Sequence, residues 1–186
     1  MSFIKEVEER DAEGKLKDIY DSLLKQRGKV ANIMKVHSLN PNAMEAHLNL
    51  YMGIMFRDRK ISREECEIIA VVVSGLNGCR YCIDHHKEAL KYYWKDEERM
   101  DSLIREHQNL EGISDRVAQM IIYAKKLTEN SEMMNQDDVI SLKEVGLTDE
   151  EILNVNLVTS YFNFVNRIAL GLGVEVSGEE KEGYNY

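Results

Sequence analysis

Apolar positions recur every three to four residues along almost the whole chain, and no stretch alternates with a period of two between turn signals. That pattern predicts an all-α fold, with helices over 11–26, 29–38, 41–57, 62–76, 79–93, 96–108, 113–129, 137–144 and 148–170. Several starts carry caps. Ser62 precedes Glu64 and Glu65, Ser114 precedes Asp115, and Thr148 precedes Asp149, Glu150 and Glu151. Each puts a hydroxyl acceptor and then acids at the positive end of a helix. Pro41 suits a first turn after Asn40, and Gly28, Gly78 and Gly146 suit stops. The run "IIAVVV" (68–73) is apolar all round. Its β-branched residues would also suit a central strand, but the cap, the length and the lack of a partner strand favour a helix buried on most sides.

A shift of 86 residues lays "ISREECEIIAVVVSGLNG" over "LTDEEILNVNLVTSYFNF". Glu64, Glu65, Val72, Ser74 and Asn77 then match Glu150, Glu151, Val158, Ser160 and Asn163. This predicts a multi-helix bundle with a duplicated helical hairpin. In the second copy Glu67, Cys79, Cys82 and His86 become Leu153, Val165, Ile168 and Leu172. Polar groups stand in the first copy where the second uses apolar ones, so the first copy carries something that packing does not require.

Bulk properties narrow the setting. A length of 186 residues fits a single domain, 1–186, with its core at about 20–175 and a polar tail over 176–186 that is expected to fray. Apolar residues make up 44% and charged residues 31%, as in an ordinary soluble globular protein. The net charge of −9 argues against nucleic acid or an anionic membrane as a partner. No apolar run has the length to cross a bilayer, and "MSFIKEVEERDAEG" lacks the apolar centre of an export signal. Three cysteines do not make a secreted disulfide framework, so a cytoplasmic location is expected.

The candidate chemistry lies in "NGCRYCIDHH" (77–86). Cys79, Cys82 and His86 are spaced by three and four residues and share one helix face. If 62–76 and 79–93 form an antiparallel hairpin pivoting at 77–78, Glu67 lies roughly 15 Å back from the pivot and His86 about 13 Å out. The carboxylate then falls beside the imidazole, with Cys82 and Cys79 nearer the pivot. Such an order suits a proton relay, in which a carboxylate orients an imidazole that takes a thiol proton. Three readings stay open: a redox dithiol, a zinc site completed by Glu67 or His85, and inert core cysteines. Ile83 excludes a c-type haem motif, and three cysteines make an iron–sulfur cluster a poor fit. Cys66 reads as a buried inert thiol and His85 as exposed or partner-facing. His37, His47 and His107 show no constellation.

Glu67, eleven residues, Cys79-x-x-Cys82, three residues and His86 match the E…C-x-x-C-x-x-x-H pattern of the alkylhydroperoxidase D family, within the carboxymuconolactone decarboxylase-like superfamily. "SGLNGCRYCIDHH" (74–86), "NIMKVHSLNPNAMEAHLNLY" (32–51) and "YFNFVNRIALGLGVE" (161–175) resemble its uncharacterised peroxidase-related branch, and the likeness covers about 20–175. The resemblance implies an all-α fold with a duplicated core, assembled as homodimers, trimers or hexamers. It implies a thiol peroxidase or disulfide reductase for hydrogen peroxide or organic hydroperoxides, with no haem or flavin. Carried over by motif position, Cys82 attacks the peroxide, Glu67 and His86 relay its proton, and Cys79 resolves the sulfenic acid to a disulfide. A lipoyl- or thioredoxin-type dithiol then restores both thiols. Tyr81 stands between the cysteines where some members carry histidine, which removes one proton donor. From the residues alone, the helix terminus favours Cys79 as the lower-pKa and more exposed thiol, whereas the histidine at +4 favours Cys82. Two other functions compete: a lactone decarboxylase of the same superfamily, and a zinc-bound or redox-sensing helical oligomer without catalysis.

Overall fold

The structure, a computed structural model, describes residues 2–57, 59–106 and 112–176. It is all-helical, with no strand among the described residues. The helices are α1 (Gly14–Arg27), α2 (Asn32–Lys35), α3 (Pro41–Met52), α4 (Arg63–Leu76), α5 (Arg80–Leu90), α6 (Glu97–Glu106), α7 (Asp115–Glu129), α8 (Gln136–Glu144) and α9 (Asp149–Leu172). Residues 107–108 of the expected sixth helix, His107 and the tail from 177 lie outside the described residues.

Two elements depart from the periodicity. α2 is one turn rather than the ten residues expected. His37, Ser38 and Asn40 each bond a carbonyl three residues back, so the chain turns until the Asn40 side chain accepts from Ala43 N and starts α3. α3 itself widens at Gly53 into a π-helical turn (Gly53–Arg57), which buries Ile54 and Met55. Such turns re-aim side chains at functional sites.

α4 is the axis of the bundle. Residues 68–73 are all 2% exposed or less, as expected for a helix apolar on every side. Ile69, Ala70 and Val73 enter the largest core cluster, with Phe162 of α9 and Ala124 of α7. Ile68, Val71 and Val72 face the opposite way, toward Leu90, Met100 and Leu103. Burying each aliphatic side chain contributes about 1.5–3 kcal/mol, so one charge placed at Val72 would disrupt the packing around α4. α1 lays Leu16, Ile19, Tyr20 and Leu23 against Met44 of α3, which brings the α1–α2 connection over the site described below.

The duplication is visible in contacts. Ser62 with Glu65 and Thr148 with Glu151, equivalent pairs under the shift, form reciprocal capping boxes on α4 and α9. Arg116 of α7 donates to both glutamates, at 2.9 Å to Glu65 and 2.8 Å to Glu151. Asn77 donates to Asn163, its own equivalent, at 3.1 Å. Equivalent residues touch one another only at a two-fold relation, here internal to one chain. The copies diverge right after that contact. Gly78 adopts φ 67°, which breaks the first copy into a hairpin, whereas Phe164 at the equivalent place keeps α9 helical. Leu153, equivalent to Glu67, is 59% exposed, so the second copy does not use that position for packing.

Candidate active site

Cys79 is the N-cap of α5, and Cys82 follows one turn in. Gly78 makes the turn that lets Cys79 N bond Ser74 O at 2.9 Å, folding α5 back on α4. Both thiols are free, and their sulfurs lie 3.0 Å apart. Burial is nearly complete, with Cys79 1% and Cys82 3% exposed. This corrects the expectation that Cys79 is the more exposed thiol: the N-cap lies inside the bend between α4 and α5, in the main core.

The two sulfurs titrate in opposite directions. The Cys82 thiol, donating to Cys79, holds the Cys79 pKa below its ordinary value against the effect of burial. The Cys82 backbone N–H and the Asn166 amide support the same anion. The Cys82 thiol is pushed well above the ordinary range by its partner and by burial. The pair therefore carries its first negative charge on Cys79. Asn166 is fully buried, and its orientation is fixed: Asn77 donates to its Oδ1 at 3.0 Å, and its own Nδ2 donates to Ser74 at 3.2 Å. That leaves the amide N–H side toward the dithiol.

Glu67 on α4 and His86 on α5 meet across the hairpin. His86 Nδ1 lies 2.6 Å from Glu67 Oε2. Glu67 is completely buried, and its other oxygen is ion-paired with Arg63, one turn earlier on α4. With Nδ1 donating to the carboxylate, Nε2 is the imidazole nitrogen left to take a proton. The ring packs edge-on against Phe162, at 4.6 Å between centroids. Arg63 is held by its own partners, donating to Met55 O at 3.0 Å and lying 3.9 Å from the Phe56 ring. The spacing of Arg63 four residues before Glu67 is the local signal for this pair.

Cys82, His85 and His86 open onto a cavity of about 260 Å³, walled by Tyr51, Phe56 and Tyr161. Cys79 is not among the lining residues. His85 lines the cavity rather than facing outward, because the α5 turn that presents Cys82 also presents its neighbours. His37 and His47 also form a constellation that their sequence positions do not reveal. His37 Nδ1 bonds Ile33 O at 2.8 Å, His47 Nδ1 bonds His37 Nε2 at 3.2 Å, and His47 Nε2 bonds the Tyr161 hydroxyl at 2.9 Å. Because the Ile33 carbonyl only accepts, the neutral chain has one consistent set of tautomers, with Tyr161 donating into His47. Burial, then His37, lowers the His47 pKa to about 4, so this imidazole is neutral near pH 7. Cys66 is fully buried, and burial pushes its thiol up to about 12, which suits an inert group. Among the described residues no group of three or more His, Cys, Asp or Glu side chains is placed to hold a metal, so the zinc alternative finds no donor set there. No helix among them is long and apolar enough to cross a membrane.

The model of the carboxymuconolactone decarboxylase family matches residues 41–124, a span that contains Glu67, both paired cysteines and His86. No curated protein matches the chain. Among solved structures, an uncharacterized peroxidase-related protein from Silicibacter sp. TM1040 is 26% identical, with a TM-score of 0.80 and 98% of each chain covered. The alkylhydroperoxidase AhpD core of an uncharacterized peroxidase-related protein from Ralstonia eutropha JMP134 is 24% identical, with a TM-score of 0.85, 97% of this chain and 94% of that one. The debrominase Bmp8, in complex with 2,3,4-tribromopyrrole, is 15% identical with a TM-score of 0.78, covering 97% and 96%. The last two are likenesses of fold alone.

Proposed function

We propose that this chain, which matches the carboxymuconolactone decarboxylase family over residues 41–124 and has the alkylhydroperoxidase D-like helical fold, is a thiol-dependent peroxidase acting through Cys79 and Cys82. The observation that carries this reading is the pair of free thiols 3.0 Å apart, with Cys82 and His86 both lining the cavity. A lactone decarboxylase would leave these paired thiols without a task.

Cys79 holds the lower pKa, but Cys82 is the thiol on the cavity wall: while Cys79 is still protonated, Cys82 gives up its proton to His86 Nε2, whose imidazolium is stabilised by Glu67. The Cys82 thiolate attacks the terminal oxygen of a hydroperoxide. The S–O bond forms, the O–O bond breaks, and the departing alkoxide takes the proton from His86 and leaves as the alcohol. Cys79, the lower-pKa thiol, then attacks Cys82 sulfur as its thiolate, and hydroxide leaves and is protonated to water. Two electrons have passed from the dithiol to the peroxide. A lipoyl- or thioredoxin-type dithiol returns them through a mixed disulfide. The working protein is a homo-oligomer in the cytoplasm on this reading, and the chain supplies all four groups of one site itself.

Thiol titration of the reduced protein before and after one equivalent of hydroperoxide tests the reading. Loss of two thiols per chain without crosslinks between chains is expected. Retention of all three thiols, with the peroxide unconsumed, would overturn it.

A further inference from the structure

The cavity is larger and more positive than hydrogen peroxide requires. Its volume of about 260 Å³ is that of roughly nine waters, so the site has room for an organic body. Arg27, Lys29 and Arg63 line it, and no Asp or Glu does among the described residues. That contrasts with a chain of 33 acids and 24 bases. The three cations are not equivalent. Arg63 is already paired with Glu67, and Lys29 has contacts of its own. Arg27, half-buried at the end of α1, makes no ion pair among the described residues. Its Nη2 donates to Met52 Sδ at 2.8 Å, a weak acceptor for a guanidinium with five N–H donors. Its charge lies 5.4 Å from the Tyr51 ring and 5.7 Å from the Phe56 ring. Tyr51 in turn lies 5.6 Å from Tyr161, and both rings line the cavity with Cys82. An aromatic wall thus runs from an unspent guanidinium toward the thiol.

We propose that this cavity selects organic hydroperoxides that carry a carboxylate, with Arg27 binding the carboxylate, the apolar body lying along Tyr51 and Phe56, and the peroxide group reaching Cys82. The proposal rests on the peroxidase reading for the fate of the ligand, but not for its binding. A carboxylate matches the fork of a guanidinium in a bidentate pair, and a partly enclosed cavity with aromatic walls strengthens that bond. Arg27 is a specificity residue here, remote from the reacting oxygen.

Two inert probes separate binding from turnover: para-isopropylbenzoate and its neutral counterpart, para-isopropylbenzyl alcohol. Calorimetry on the reduced full-length protein at low salt should show the anion binding about tenfold or more tighter than the alcohol. Arg27→Met keeps an apolar stem over the rings and should bring the two affinities together, while Arg27→Lys keeps part of the preference. Equal binding of the two probes by the unaltered protein overturns the proposal, whether or not the variants fold. So does a preference that survives in a folded Arg27→Met protein. Turnover is read with cumene hydroperoxide and its para-carboxylate. Anion preference in binding with neither hydroperoxide oxidising the thiols removes the peroxidase reading and keeps the subsite. Oxidation by both with the same kcat/KM keeps the peroxidase reading and removes the subsite.

Discussion

His86 donates from Nδ1 to a Glu67 oxygen 2.6 Å away, and that carboxylate is sealed from solvent with Arg63 on its other side. The carboxylate thus does two jobs, orienting the imidazole and neutralising a largely buried guanidinium. Glu67→Gln retains the shape but removes the charge that stabilises an imidazolium. Oxidation of Cys82 by hydroperoxide, followed by stopped-flow fluorescence, should slow by about 10²-fold or more, with the helical signal unchanged. An unaltered rate would show that the pair is structural. Glu67→Ala, which strands Arg63, should cost roughly 3–5 kcal/mol in urea unfolding.

The titration order of the dithiol is open to direct measurement. The largest influence lowering the Cys79 pKa is the Cys82 thiol, followed by smaller contributions that include the Asn166 amide. Thiolate ultraviolet absorbance should show one step below the ordinary cysteine value of 9.0 and a second well above it. In Cys82→Ala the first step should move up, and in Asn166→Leu it should move up by less. A first step that stays put in Cys82→Ala would place the early anion elsewhere.

Much of this arrangement was legible in the sequence, and the parts that were not share a cause. The capping boxes at Ser62 and Thr148 are local patterns, so they could be read from spacing alone. The meeting of Glu67 with His86 needed only the helical rise and the Asn-Gly break between them. Asn166, His47, Tyr161 and Arg27 reach the site from elements far away in the chain. Their placement depends on how α1, α3 and α9 pack, which no spacing near the cysteines encodes. The continuity of α9 was also hidden in the duplication, because one residue, Phe164 in place of Gly78, decides between a helix and a bend. The burial of Cys79 departs from its sequence position for a related reason: an N-cap is exposed on an isolated helix but enclosed when the preceding helix folds over it.

His47 links the site to acid stability. In the folded chain it binds a proton only near pH 4, against 6.5 for an ordinary histidine. Between those values the unfolded chain holds more protons, so acid favours unfolding. This contribution is full above pH 6.5 and is lost as the pH falls toward 4, by roughly 3 kcal/mol at most. Urea midpoints measured across that window should fall with pH. His47→Gln should flatten the fall, and an identical slope would show that His47 does not carry it.

Arg116 fastens the two copies of the duplication by bridging the cap glutamates of α4 and α9. It is partly exposed, so solvent screening limits its worth. Arg116→Met should lower stability by about 1 kcal/mol in urea. The loss should shrink when Glu65 and Glu151 are both changed to Gln, since the repulsion left behind is then removed. Equal losses in the two backgrounds would deny the bridge.

Trapping the oxidised sulfur tests the proposal that Cys82 is the thiol that meets a peroxide. Reduced Cys79→Ser and Cys82→Ser proteins are treated with one equivalent of hydroperoxide, labelled with dimedone, and mapped by mass spectrometry. Labelling at Cys82 in the Cys79→Ser protein, with little at Cys79 in the other, is the expected result. A sulfenic acid that forms only in Cys82→Ser would contradict the account and reverse the two roles.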